Sequence, residues 1–193
     1  MTMDLVSREF RFRGVVIGEF AYGEKDRIVS LFTPQGLYRA IEKFGKKHNV
    51  SNFSIIEGIL VEGRSELFKL KEVKVTKTFL NIRENYDAIE AALKMGEAIF
   101  KTQLGDKAAE NLYLIFIGFL ERLEKNPTAY ATSFLLKMLV NEGFWQMPEG
   151  LSQEEEQIIE VLTLARSRNL IEEMAVDITL MEKVEKLFLV LAR

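Results

Sequence analysis

GEKDRIVSLFTPQGLYRAIEKFGKKHNVSN, residues 23–52, decides how the rest of the chain is read. Two β-like runs, 27–33 and 37–44, are joined by Pro34-Gln35-Gly36. Proline presets the backbone for the first turn position and glycine tolerates the conformations that close it, so the pair reads as a hairpin. A short basic loop, Lys46-Lys47-His48, leaves the second run. A basic loop at the end of a strand in a small antiparallel barrel is suited to meeting a phosphate backbone.

Outward from this hairpin, the period of two continues in both directions. The expected strands are 10–20, 27–33, 37–44, 54–62 and 67–78. In the last, Leu67, Lys69, Lys71, Val73 and Val75 alternate with Phe68, Leu70, Glu72, Lys74 and Thr76. The alternation of polar and apolar residues is imperfect, but the β-branched residues and lysines favour a strand. Gly14, Gly18, Gly23, Gly36, Gly45, Gly58 and Gly63 lie among these runs. Glycines at such spacing permit the bends and bulges of a small curved barrel of five strands.

After Leu80 the period becomes 3.6. Tyr86, Ile89, Leu93, Ile99 and Phe100 form one apolar stripe, and Leu112, Ile115, Phe116, Phe119 and Leu123 a second. A third, from Tyr130 to Leu139, closes at Asn141-Glu142-Gly143. Ser152-Gln-Glu-Glu155 and Thr179-Leu-Met-Glu182 both have the spacing of a capping box opening a helix. Short connections between such stripes imply a helical bundle. The expected organisation is α+β, with an oligonucleotide-binding domain over 1–80 and an α-helical domain over 81–193.

Composition removes several function classes. The 193 residues include no cysteine and one histidine, His48, so disulfides, thiol nucleophiles and His-rich metal sites are absent. Lack of cysteine fits a reducing cytoplasm. No apolar run approaches ~18 residues, and the start MTMDLVSREFRFRG lacks the apolar region of a secretory signal, so no membrane association is expected. No nucleophile–base order, P-loop or Gly-rich dinucleotide fingerprint is present, so a binding protein is expected, without enzyme activity, cofactor or metal. Glu154-Glu155-Glu156 reads as a helix first turn favoured by the positive dipole end.

Charge is divided unevenly. Residues 1–80 hold 14 Lys and Arg against 10 Asp and Glu, a net of +4; residues 81–193 hold 12 against 19, a net of −7. Basic positions Arg27, Arg39, Lys43, Lys46 and Lys47 are interleaved with Tyr22, Tyr38 and Phe44, and Arg8, Arg11 and Arg13 precede or open the first strand. Rings that stack bases between cations that meet phosphates suit single-stranded nucleic acid. The competing account makes Tyr38 and Phe44 core residues and the lysines solvated.

The residues Gly23-Glu24-Lys25-Asp26-Arg27-Ile28-Val29, then Phe32-Thr33, Gly36, and Lys43-Phe44-Gly45-Lys46-Lys47 leading to Ser51, resemble the N-terminal domain of the bacterial recombination mediator RecO family. The likeness extends more weakly onward: residues 131–143 with Phe144 and Pro148 resemble that family's Leu-rich helix ending in Gly-aromatic-x-x-Pro. The chain departs from the family pattern in lacking the Cys-based zinc module many members carry after this segment.

The resemblance implies a cytoplasmic, nucleoid-associated, non-enzymatic role in recombinational DNA repair. It implies binding of single- and double-stranded DNA, strand annealing, and assistance to RecA loading on DNA coated by single-strand-binding protein. The implied partners are RecR and the acidic C-terminal tail of single-strand-binding protein, with RecA engaged indirectly. DNA contact carries over to Arg27, Lys43, Lys46 and Lys47, and by proximity to Arg39 and His48. In the helical half, Arg122, Lys125, Lys137 and Arg166 are the candidate cations for the acidic tail. A scaffold that binds only proteins is the alternative.

Overall fold

The structure, a computed structural model, describes residues 8–24, 26–43, 50–63 and 66–191. Five strands follow one another: β1 (Glu9–Tyr22), β2 (Asp26–Thr33), β3 (Gly36–Glu42), β4 (Ser54–Val61) and β5 (Phe68–Thr78). They close into a barrel in the order β1-β2-β3-β5-β4, all pairings antiparallel except the short parallel β3–β5 contact. The β3–β5 contact that closes it is only two residue pairs long, Ala40 with Phe68 and Ile41 with Lys69. The hairpin read from Pro34-Gln35-Gly36 is the β2–β3 turn, with Thr33 paired to Gly36. Thr33 Oγ1 donates to Gly36 O at 3.0 Å and accepts from Gln35 N at 3.1 Å, which pins the turn from its own side chain.

Inside the barrel, Phe12, Val16, Val29, Leu31, Ile56 and Leu60 are buried together, each stabilising the fold by about 1.5–3 kcal/mol. Phe10, Tyr38 and Phe68 form a ring cluster with centroids 5.4–5.7 Å apart, Phe68 meeting both other rings edge-on.

The simple alternation expected for β5 is corrected by a bulge. Ile59 faces Lys71 and Glu57 faces Lys74, so three steps on β5 match two on β4. Glu72 sits at the extra position with φ 53°. This additional residue resets the pleat, returning Val73 and Val75 to the core while Lys69, Lys71 and Lys74 all stay exposed. Gly58 stands opposite: a Cβ there would lie 2.9 Å from Lys71 O and 3.1 Å from Phe12 Cε1.

The chain divides into two compact units, one formed by 1–78 with 103–113, the other by 79–102 with 114–193. The division expected at residue 80 thus lies near the first crossing, and the sequence reading omits the return of 103–113. That segment is secured to the β2–β3 hairpin. Leu37 N donates to Leu104 O at 3.2 Å, Ala109 N donates to Pro34 O at 2.8 Å, and Phe32 packs edge-on to Tyr113. Arg8 and the Tyr38 hydroxyl both donate to the Asp106 carboxylate, at 3.0 and 2.9 Å.

These two donors, Arg8 first, hold the Asp106 carboxyl below the usual carboxylate range. A depressed folded-state pKa contributes stability above the unfolded value, about 3.9, and loses it as pH falls through the folded one. Attachment of 103–113 is therefore expected to loosen below about pH 4. Hydrogen exchange at Ala109, referenced to barrel-core amides, is expected to accelerate there. In Asp106→Asn the amide should already be loosened at neutral pH, with no further acid step.

The second unit contains α1 (Leu80–Arg83), α2 (Tyr86–Thr102), α4 (Pro127–Glu142), α5 (Gln153–Leu164), α6 (Arg168–Glu172) and α7 (Ile178–Leu191); α3 (Glu110–Leu120) begins in the first unit. Helix α4 is buried on every side from Ala129 to Leu136, which explains its lack of a polar stripe. Asn126 caps its start by accepting from Ala129 N, and left-handed Gly143 ends it, with Phe144 N bonded to Leu139 O. The Ser152 capping box forms with both reciprocal bonds. The one expected at Thr179 does not: Asp177, two residues earlier, accepts from Leu180 N at 2.7 Å. Asp is at least as strong a helix cap as Thr, and its short carboxylate reaches the first free N–H groups.

Candidate nucleic-acid interface

Strand parity sorts the predicted cations. Val29 and Leu31 on β2, and Tyr38 and Ala40 on β3, point into the barrel. Arg27 and Glu42 share that inward parity and pair across the strands. Arg27 is consequently an internal cross-link near the barrel mouth. Its Nε binds Glu42 Oε2, one Nη binds Glu19, and the other donates to Val50 O at 3.0 Å. Two carboxylates neutralise its charge, so Arg27 does not offer a free cation to a phosphate. Counting back along β2 and β3 from the turn would have found the Glu42 partner, because a two-residue hairpin fixes the register of every later pair.

Arg39 has the opposite parity, is exposed, and pairs with Ser30. Lys43, just beyond β3, is exposed as well. On the same outer face, Phe20 pairs with Ile28, and Ile28 with Ile41, giving one apolar row across β1, β2 and β3. Tyr22 follows two residues after Phe20, opposite Asp26. Phe20 is 59% and Tyr22 48% exposed, unusual for rings on a strand with a core available. Residues two apart on a strand stand about 6.6 Å apart on one side, so the two rings form a short stacking platform. Tyr22 was legible as an interleaved aromatic; Phe20 was not, because a Phe in an apolar strand reads as core.

Lys46, Lys47, His48 and Gly45 lie outside the described residues. Of the remaining glycines singled out in the sequence motif, Gly23 and Gly36 both have positive φ, 65° and 128°.

The helical cations separate in the same way. Arg122 forks onto Glu172, Nε at 2.6 Å and Nη2 at 2.8 Å, and Glu172 also accepts from the Tyr130 hydroxyl at 2.7 Å. Burial first, and this carboxylate second, push the Tyr130 hydroxyl well above its ordinary pKa. Lys137 is half-buried and donates to Thr163 O and Ala165 O, both at 2.9 Å, satisfying carbonyls at the end of α5. Burial holds its amine below the usual lysine value. Lys125 and Arg166 are exposed and make no ion pair among the described residues. Arg166 lies in sequence between Leu164, 76% exposed, and Leu170, 46% exposed.

No helix among the described residues is long and apolar enough to cross a membrane. Residues 5–79 match the family model described as recombination protein O N terminal. The chain is similar to the DNA repair protein RecO of Chlamydia pneumoniae, 29% identical over 147 residues, covering 72% of this chain and 58% of that protein. Its similarity to the RecO of Nostoc punctiforme is 30% over 137 residues, covering 67% and 45%; to that of Rubrobacter xylanophilus it is 26% over 155 residues, covering 75% and 61%. The matched region thus spans about half the length of these relatives. The barrel-forming residues 5–79 match that N-terminal domain, and the similarity to RecO proteins runs on into the helices, which together support placing the chain with the RecO family.

Proposed function

We propose that this chain is a recombination mediator of DNA repair, working in the cytoplasm at the nucleoid by binding rather than catalysis. It holds single- and double-stranded DNA, anneals complementary strands, and with RecR assists RecA loading on DNA coated by single-strand-binding protein. The observation that carries this reading is the outer face of β1, β2 and β3. There Phe20 and Tyr22 stand exposed beside Ile28 and Ile41, with Arg39 on the same side of β3 and Lys43 exposed just beyond its end. Rings take the bases while the cations take the phosphates, which favours a flexible single strand. The basic loop at Lys46 and Lys47 extends the same run of cations in sequence. For the acidic tail of single-strand-binding protein, Arg166 between Leu164 and Leu170 supplies the cation-plus-apolar chemistry such a tail requires.

The test is fluorescence anisotropy of a labelled single-stranded oligonucleotide at 50 and 200 mM salt. Binding is expected to weaken steeply with salt. The Arg39→Ala/Lys43→Ala variant should lower the log–log slope by about 1.4, or 0.7 for each lost phosphate contact. Phe20→Ala/Tyr22→Ala should weaken binding by about 1–3 kcal/mol per unstacked base with the salt slope unchanged. Wild-type affinity that is absent, or indifferent to salt, favours the protein-only scaffold instead.

A further inference from the structure

We propose that the outer face formed by β1, β4 and β5 is a second, sequence-independent binding surface for a sugar–phosphate backbone, separate from the β1–β2–β3 face. The inference rests on the reading of the barrel as a nucleic-acid binder. Two rows of residues cross these three strands: Arg11–Ile59–Lys71 and Arg13–Glu57–Lys74. Neighbouring strands lie about 4.8 Å apart and successive outward residues about 6.6 Å apart. Cations therefore occupy the four corners of a patch about 10 Å by 7 Å, measured at the backbone. Lys69 extends the β5 side by one more outward position.

Arg11, Arg13, Lys69, Lys71 and Lys74 are all exposed. An open groove of about 470 Å³ adjoins this patch, lined by Arg11, Arg13, half-buried Ile59 and Lys74 together with Pro34 and Gln35 of the β2–β3 turn. The trough is not purely basic, for Glu57, Glu72 and Glu9 also face this side. The ion pairs they make are long and exposed, Arg13–Glu57 at 3.6 Å and Lys71–Glu9 at 3.9 Å. Pairs of this kind contribute about 0–1 kcal/mol, so an arriving phosphate displaces them at little cost. Arg11, Lys69 and Lys74 have no ion-pair partner among the described residues.

The bulge at Glu72 makes the arrangement more than an ordinary lysine-rich edge. Without the extra residue, Lys74 would share the inward parity of Leu70 and be lost from the patch. A residue held at φ 53°, unfavourable for glutamate, is what keeps Lys71 and Lys74 on one side. A barrel with two such faces holds two strands at once, which is what bringing complementary strands together requires.

The experiment compares full-length wild-type protein with Arg11→Gln/Lys71→Gln/Lys74→Gln, by anisotropy and by energy transfer between two non-complementary labelled oligonucleotides. The variant is expected to bind about ten-fold more weakly at low salt, with a slope lower by about 2, and to lose the two-strand transfer signal. Combined with Arg39→Ala/Lys43→Ala, the two losses should multiply, as separate sites do. The charge-preserving Arg11→Lys/Lys71→Arg/Lys74→Arg should behave as wild type. Should the Gln variant melt early, single Lys74→Glu at its exposed position reads the same effect.

Unchanged affinity, slope and transfer in a folded Gln or Lys74→Glu variant overturns the inference while leaving the β1–β2–β3 site intact. Loss of binding to a polyglutamate probe with DNA binding unchanged reassigns the face to acidic protein and overturns it too. A wild-type chain that binds no DNA at any salt refutes the nucleic-acid reading itself, and this inference with it.

Discussion

Arg27→Ala is expected to lower the unfolding free energy by about 3–5 kcal/mol in a urea titration, whatever it does to DNA binding. The Glu42 side chain is only 6% exposed, and Arg27 is the cation that meets it. Among the described residues Glu42 Oε1 already has no hydrogen-bond partner, so truncating Arg27 strips the carboxylate of its main compensation inside the barrel wall. The same change leaves Val50 O without its donor and Glu19 without its pair. Arg27→Lys should recover part of the loss, since an ammonium restores charge but cannot reproduce the three-way fork. Arg27→Met/Glu42→Leu should recover most of it, because replacing both members of a buried pair is often neutral. A fully stable Arg27→Ala that fails to bind DNA would return Arg27 to the phosphate contacts and defeat the cross-link assignment.

Gly36→Ala is expected to cost about 3 kcal/mol or more, through two effects that no small rearrangement relieves together. Gly36 has φ 128°, a conformation rarely adopted by residues with a Cβ. A Cβ would also lie 2.5 Å from Leu104 O and 3.0 Å from Lys107 O, both backbone atoms. The damage should concentrate in the 103–113 segment, visible as lost protection at Leu37 and Ala109 before the barrel core unfolds. Gly143→Ala is the control. Gly143 has φ 77° with nothing within 4 Å of an added Cβ, so only conformational strain remains, about 1 kcal/mol. Equal losses at the two positions would show that the close approach of 104–107 carries no weight.

Much of this was legible because it is local. The β2–β3 turn needs only Thr33, Pro34 and Gly36, and its strand ends fall within two residues of the expected ones. The Ser152–Glu155 box and the Gly143 terminus are likewise decided within six residues of chain. What failed was longer in reach or depended on parity. Residues 103–113 have no apolar period, and their partners Arg8 and Tyr38 lie 98 and 68 positions away. The one-residue bulge at Glu72 reverses the facing of Val73, Lys74 and Val75, and strict alternation gives no warning of it. Thr179 and Asp177 are both plausible caps by residue type, and the final helix takes Asp177.

The sequence by itself determined the change from a five-stranded half to a helical half, because periods of two and of 3.6 are properties of a single strand or helix. It determined equally that no cysteine chemistry is available and that basic residues gather in the first 80 positions. Only the tertiary structure decided which of those cations are free. Arg27 and Arg39 are alike in charge and both lie on strands, yet Arg27 is neutralised inside the barrel and Arg39 is exposed on its surface. In the helices, Arg122 and Lys137 are bound to neighbours while Lys125 and Arg166 are exposed. The physical reason is that a charge's availability depends on its cross-strand or interhelix partner and on its depth. Closing the barrel and packing the bundle set both quantities, joining residues whose separation along the chain carries no record of the encounter.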